Sequence, residues 1–389
     1  MKPQATLNSR ALKRLRRGHP WVFRSDILAV EDAKTGSLVR LLDSRGRFQG
    51  QAFFNPESQI SLRVVTREDV TVDQTFWRDK VECALSHRRQ VVSETTAYRL
   101  IYSEADGIPG LIADLYGDIV VVQTLTAAAD QNFPEWLSLL SEKISFQGVL
   151  AKNDVKVRAL EGLPLEVRVV EGKVPDVVEV EEGPVRYQIP LRTAQKTGAF
   201  LDQRENRLAA GRYARGRVLD AFCYHGGFGL HMAQEAQEVV GVEISAASAE
   251  VAKANAELNG LELRIEVQNA FDYLRGLDRQ GERFDTIILD PPAFAKSRTS
   301  LAQALRGYKE INLRAMKCLS PRGRLITSSC SYHLTVEGFR SLLVEAAGDS
   351  GRGFRIVEQR TQARDHPISL TFPESQYLKC FILEELGGE

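Results

Sequence analysis

Val218-Leu219-Asp220-Ala221-Phe222-Cys223-Tyr224-His225-Gly226-Gly227-Phe228-Gly229 reads as an apolar strand that passes through a glycine-rich turn into a helix. Glycines in such a turn let a ligand approach the backbone closely, and the helix N-terminus favours polar or negative groups. The spacing is not G-x-G-x-x-G, which argues against a nicotinamide or flavin dinucleotide and so against an oxidoreductase. From Gly216 onward, apolar strands alternate with helix-length segments, the signature of a doubly wound, mostly parallel sheet. Strands are predicted over 218–222, 239–243, 264–268, 286–289, 324–328, 355–358 and 378–383.

In open α/β sheets ligands gather outside the carboxyl ends of the strands, so the residues at those ends are the candidates for chemistry. Glu243 ends the second strand, where an acid that bonds ribose hydroxyls is expected; alone it reads equally as a helix cap. The third strand leads to Asn269-Ala270-Phe271, an amide and a ring that suit a purine, or a cap and a core aromatic. The fourth runs through Ile287-Ile288-Leu289 into Asp290-Pro291-Pro292-Ala293-Phe294. Prolines lack backbone donors and stiffen the loop, giving a rigid ledge for a flat ring beside a carboxylate. The fifth ends in Ser328-Ser329-Cys330, which puts a candidate nucleophilic thiol in the same crevice as Asp290. A lone cysteine is more often a small buried residue, and without the Asp-Pro-Pro neighbour that reading wins.

The 389 residues exceed one ordinary core, so two or three domains are expected. The first seventy read as short strands and turns, a small all-β module over 1–72; an α+β region follows over 73–185, including a helix expected near 134–144, and the wound sheet occupies 186–389. No apolar run approaches the roughly 20 residues that cross a bilayer, and no signal-peptide pattern follows the N-terminus, so cytoplasm is the default and no membrane partner is expected. The five cysteines are scattered without a C-x-x-C pair, which argues against disulfides and a zinc site; no metal is expected. Net charge is zero, yet residues 1–25 hold Lys2, Arg10, Lys13, Arg14, Arg16, Arg17 and Arg24 and no acid, a basic arm suited to phosphates or a solvated tail.

Taken in order, these motifs resemble a class I S-adenosylmethionine-dependent methyltransferase, and more closely the RlmI-like family of 23S rRNA cytosine-C5 methyltransferases. The resemblance spans nearly the whole chain. It includes Arg17-Gly18-His19-Pro20-Trp21-Val22-Phe23, similar to the opening of that family's RNA-binding PUA β-barrel, and Lys196 to Arg207, similar to a segment that helps hold the cofactor. Asp365-His366-Pro367 and Tyr377-Leu378-Lys379 match family positions close to the target base.

The resemblance implies a Rossmann-like methyltransferase domain behind a PUA domain and a central α+β domain. It implies S-adenosylmethionine as cofactor, held by Phe200, Asp202, Arg204, Asp220, Phe222, Gly226, Gly227, Glu243, Asn269, Ala270 and Asp290. Cys330 and Asp290 are implied as catalytic, and Pro291, Pro292, Phe294, His366, Arg17, His19 and Trp21 as substrate contacts. The partner implied is 23S rRNA, unassembled or partly assembled, and a homodimer is left open. Pro292 stands where many 5-methylcytosine RNA enzymes carry a second cysteine, so the base that removes the C5 proton stays unassigned. Asn269 stands where an aspartate is common. A guanine-N or adenine-N RNA methyltransferase, or a non-catalytic RNA-binding protein with a relict fold, are the competing readings; the first needs no thiol, and the second predicts loss of the cofactor residues, all of which are present.

Overall fold

Seven strands form the sheet that the sequence pattern announces. A computed structural model describes residues 3–294 and 301–387. Its strands are Arg217–Asp220 (β1), Glu238–Glu243 (β2), Arg264–Val267 (β3), Phe284–Leu289 (β4), Leu319–Ser329 (β5), Phe354–Arg360 (β6) and Lys379–Glu385 (β7). They lie in the order β3-β2-β1-β4-β5-β7-β6; β7 is inserted antiparallel between β5 and β6, and the other pairings are parallel. The helices between them are Gly227–Met232 (α1), Ala246–Leu258 (α2), Ala270–Gln280 (α3), Leu301–Lys317 (α4) and Val336–Ser350 (α5).

Local chemistry sets the ends of these elements. Ser245, Asn269 and Thr335 cap α2, α3 and α5 by accepting from backbone N–H groups of the first turn, and Gly281 and Gly351 end α3 and α5 in the left-handed conformation. The core sits on both faces of the central strands. Leu219, Ile287, Ile288, Leu325 and Ile326 are fully buried there, each contributing roughly 1.5–3 kcal/mol of burial. β5 is longer than the sequence pattern suggests because Arg322, at φ 58°, turns the chain inside it.

Two compact units divide the chain. The first comprises residues up to Val180, Ile189–Leu201 and Arg364–Ser375; the second comprises Glu181–Gln188, Asp202–Ala363 and the chain from Gln376. Within the first, a six-stranded sheet has strands Trp21–Val22, Leu62–Thr66, Phe48–Phe54, Leu38–Leu42, Gln4–Leu7 and Ile27–Glu31 in that order. A five-stranded sheet follows, from Val167–Gly172 through Gly148–Lys152, Ile119–Thr124 and Leu111–Tyr116 to Ala97–Tyr102. The helix Gln74–Val91 puts Trp77 against Trp136 at 4.9 Å and against Phe53 at 5.8 Å.

Two expectations are corrected here. The N-terminal basic segment is neither a separate arm nor a solvated tail but part of the folded module: Gln4–Leu7 is a strand and Ser9–Arg16 a helix, capped by Asn8 and burying Ala11 and Leu15. Arg10 and Arg14 both pair with the buried carboxylate of Asp26, so two of the cations hold the module together. Lys2 lies outside the described residues. The helix expected from Pro134 begins at Ala127, because Thr126 supplies a cap to Ala129 N–H and three alanines propagate from it; Pro134 sits inside the helix Ala127–Ser141. No helix among the described residues is long and apolar enough to cross a membrane.

Candidate active site

The glycine-rich turn between β1 and α1 is built on one buried carboxylate. Asp220 is 1% exposed; its Oδ2 accepts from Gly229 N–H at 2.9 Å, while Oδ1 is buried with no hydrogen-bond partner among the described residues. Burial raises its pKa to about 7, against the bond from Gly229 and assisted by the charges of Asp290 and Glu243. Tyr224 and Gly226 take positive φ of 49° and 87° to turn the chain, and only Gly226 does so without strain. A Cβ on Gly227 would stand 3.1 Å from Arg207 Cδ. Arg207 is fixed beneath the turn by a buried bidentate pair with Glu182, which also meets His231 at 3.0 Å. Phe222 packs partly buried against the main core.

Glu243 ends β2 with its two oxygens aimed back at this turn: Oε2 accepts from Tyr224 N–H at 3.0 Å and Oε1 from Ser245 N–H at 2.8 Å. It therefore joins the two loops, and each oxygen keeps a lone pair for a ligand. Asn269 Oδ1 accepts from Phe271 N–H and Asp272 N–H, so its carbonyl is the cap of α3; Ala270 is buried behind it.

Asp290 follows β4, and Gln203 Nε2 donates to its Oδ1 at 2.7 Å. Gln203 is itself held by Asn206, and Asn206 by Arg360. The sequence reached Gln203 only as part of the segment from Lys196 to Arg207 and gave it no role of its own. Asp202 accepts at 2.6 Å from the Tyr377 hydroxyl, and Arg204 is buried with Glu205 at 3.2 Å. Pro291 is buried and Pro292 exposed; Phe294 is half-buried against Tyr308 at 4.6 Å and Phe271 at 5.7 Å.

Cys330 stands at the end of β5 with Sγ 4.0 Å from the Pro291 carbonyl, so the thiol and the Asp-Pro-Pro loop share one crevice. It is partly exposed. The other thiols of this unit, Cys223, Cys318 and Cys380, are buried, and burial raises the pKa of each: Cys318 to about 11, Cys380 to about 12, Cys223 well upward. Cys223 is also wedged against β2, where a Cβ on Gly241 would come within 2.9 Å of its sulfur.

The remaining candidates belong to the first unit. Lys196 Nζ lies over the Phe200 ring at 4.6 Å. His19 faces Glu374 at 3.2 Å, and the Trp21 indole donates to Glu104 at 2.8 Å and packs on Phe372 at 4.7 Å. His366 is buried, with Nδ1 2.9 Å from Asp365 Oδ1, and Asp365 accepts from Arg99 N–H at 2.8 Å. Arg17 carries a partly exposed side chain.

A family model described as a PUA-like domain matches residues 5–67, and one described as an S-adenosylmethionine-dependent methyltransferase matches residues 134–368. A relative named Ribosomal RNA large subunit methyltransferase I, from Tolumonas auensis, is 40% identical, over 96% of this chain and 97% of its own. The chain belongs to the ribosomal RNA large subunit methyltransferase I family. Another member so named, from Pseudoalteromonas atlantica, is 37% identical over 99% of this chain and 100% of its own. A solved S-adenosylmethionine-dependent methyltransferase from Streptococcus mutans shares the fold, with 23% identity, coverage of 99% of this chain and 100% of that one, and a TM-score of 0.84.

As a methyltransferase of this family the chain uses S-adenosylmethionine, and its residues fit that ligand. Asp220 Oδ1, a buried acceptor with no partner among the described residues, fits a cationic donor such as the ammonium of that ligand. The glycines keep the turn open, and Glu243 keeps acceptor capacity for ribose hydroxyls.

Proposed function

We propose that this methyltransferase transfers a methyl group to C5 of a cytosine in 23S rRNA, with Cys330 as a covalent nucleophile. The observation that carries the reading is the placement of Cys330: a partly exposed thiol at the end of β5, beside the loop that Asp290 opens, while the other thiols of the unit are buried. The names of the relatives, which specify large-subunit ribosomal RNA, supply the substrate class.

C5 of cytosine is a weak carbon nucleophile, so the ring must first gain electron density. The Cys330 thiolate adds to C6, C5 becomes enamine-like and takes the methyl group, the C5 proton leaves, and elimination of the thiolate restores the ring. S-adenosylmethionine supplies the methyl group from a cationic sulfur. Asp290, held in place by Gln203, bonds the exocyclic amine and stabilises charge that develops at N3 and N4. Pro291, Pro292 and Phe294 wall the base, which must be splayed out of folded RNA to enter. Asp220, Phe222, Gly226 and Gly227 take the methionine side, Glu243 the ribose, and Ala270 with the Asn269 amide nitrogen the adenine; Phe200, Asp202 and Arg204 complete the cofactor shell. Arg17 with His19, Trp21 and His366 serves the RNA from the first unit.

The decisive experiment uses Cys330→Ala. It is expected to abolish 5-methylcytosine formation, read by nucleoside mass analysis, with S-adenosylhomocysteine affinity nearly unchanged; Cys223→Ala remains largely active. RNA carrying 5-fluorocytosine blocks the final elimination and leaves protein and RNA joined through Cys330. A Cys330→Ala enzyme that still makes 5-methylcytosine, or an adduct that survives the substitution, sinks the mechanism; a methylated ring nitrogen favours the guanine-N or adenine-N reading.

A further inference from the structure

Lys379 opens β7, and its Cα stands opposite Ser329 across the antiparallel pair, one residue before Cys330. The side chain is buried, 3% exposed. Nζ donates to the Ser331 carbonyl at 2.7 Å and to the Tyr377 carbonyl at 2.8 Å, which fixes the ammonium against the turn that carries Cys330. Two carbonyls use two of its three protons and offer no charge.

Other buried cations of the chain have carboxylates: Arg88 pairs with Asp106, Arg207 with Glu182, and Lys152 with Asp154. Lys379 has none among the described residues; the one ionisable side chain that acts on it is Cys330. A buried charge without a counter-ion costs several kcal/mol, so this site is built for a negative group that the folded chain itself can generate. Burial lowers the Lys379 amine and negative charge at Cys330 opposes it; the two together leave it at about 8, so the ammonium form prevails at neutral pH.

We propose that Lys379 is a positioning residue whose ammonium is the resident counter-ion of the Cys330 thiolate, holding the nucleophile ionised before RNA arrives. This rests on the reading of Cys330 as the nucleophile. Ionisation breaks the S–H bond, leaves the electron pair on Sγ and passes the proton to solvent, to which Cys330 is open; the ammonium keeps its three protons throughout. Among the described residues, the other titratable groups around the thiol bring no positive charge. Asp290, which precedes Pro291 in the loop beside the thiol, brings no positive charge. Tyr308, from α4, is 3.0 Å from Ser331 Oγ and stays protonated, its pKa raised by burial. Cys380, next to Lys379 on β7, is pushed up to about 12 by burial. The lysine is thus the group that tips the balance.

The test is the pH profile of Cys330 alkylation by iodoacetamide, read peptide by peptide so that exposed Cys83 does not interfere. In the unsubstituted protein the midpoint is expected below about 8.5, the value of a free cysteine. Lys379→Met should raise the midpoint by about one unit, slowing alkylation at neutral pH about tenfold, whereas Lys379→Arg, which keeps the charge, should stay near the parent. S-adenosylhomocysteine binding by all three reports that the fold survives. A parent midpoint at or above about 8.5, or an identical profile in a folded Lys379→Met, overturns the proposal; the first needs no variant. The nucleophile reading fails separately, through a Cys330→Ala enzyme that still makes 5-methylcytosine whatever the alkylation curve.

Discussion

Asp220 makes the ligand-free enzyme pay at neutral pH, and the amount follows from its surroundings. Its carboxyl titrates at about 7 in the fold against 3.8 for an ordinary aspartate, mainly because burial disfavours the charge. Between those two values the folded chain holds a proton that the unfolded chain has lost, so stability falls as pH rises through the window and the loss is complete above about 7. Three units at 1.36 kcal/mol each give a full cost of roughly 4 kcal/mol, of which about 1.5 has accrued by pH 5. Asp220→Asn cannot ionise; it keeps an oxygen for Gly229 N–H and adds a constant penalty for its amide nitrogen, independent of pH. Its stability relative to the parent should therefore improve by about 2–3 kcal/mol between pH 5 and pH 8. Denaturant unfolding of the two ligand-free proteins at both pH values measures this, and calorimetry should show the variant binding S-adenosylhomocysteine about 10–100-fold more weakly, since a charged acceptor is lost. A stability gap that is the same at both pH values would refute the claim that an uncompensated carboxylate sits under the turn.

Two further outcomes separate binding from scaffolding. Glu243→Ala is expected to weaken S-adenosylmethionine binding by about 1–3 kcal/mol; because Glu243 also ties Tyr224 to Ser245, Glu243→Gln is the control, and equal losses in both variants on calorimetry would leave the charge, rather than the tie, as the cause. Lys13, Arg16 and Arg17 form no ion pair among the described residues and are candidates for phosphates, so the triple alanine variant should weaken RNA binding and flatten its salt dependence by up to about three charges' worth of slope; an unchanged slope would move the RNA path elsewhere.

The second unit was legible because its strands are apolar, short and spaced by helices with recognisable caps: Asn269 and Ser245 mark the starts of α3 and α2, and each carboxylate or thiol at a strand end sits where the wound topology puts it. The reading failed where a side chain's partner lies far along the sequence. The basic N-terminal segment looked like an arm because Asp26, which neutralises Arg10 and Arg14, falls just beyond it. Glu182, in a stretch whose sequence shows only that it is acidic, is buried beneath the glycine-rich turn against Arg207. Gln203 and Lys379 were reached only as members of matched segments, and their individual contacts are long-range, Gln203 with Asp290 and Lys379 through the antiparallel insertion of β7 beside β5. Thr126 outweighed Pro134 as a helix start because a side-chain cap followed by alanines is the stronger local instruction.

The antiparallel insertion of β7 also sets a schedule for the nascent chain. β5 and β6 are separated by a strand that leaves the ribosome after both, so until residues 379–385 emerge, one edge of β5 is unpaired and the Cys330 turn lacks its lysine. The first unit waits too, since Arg364–Ser375 belongs to it and supplies Asp365 and Phe372 to its interior. Neither unit can finish while synthesis is short of these segments, and a chain cut before residue 364 yields two unfinished units.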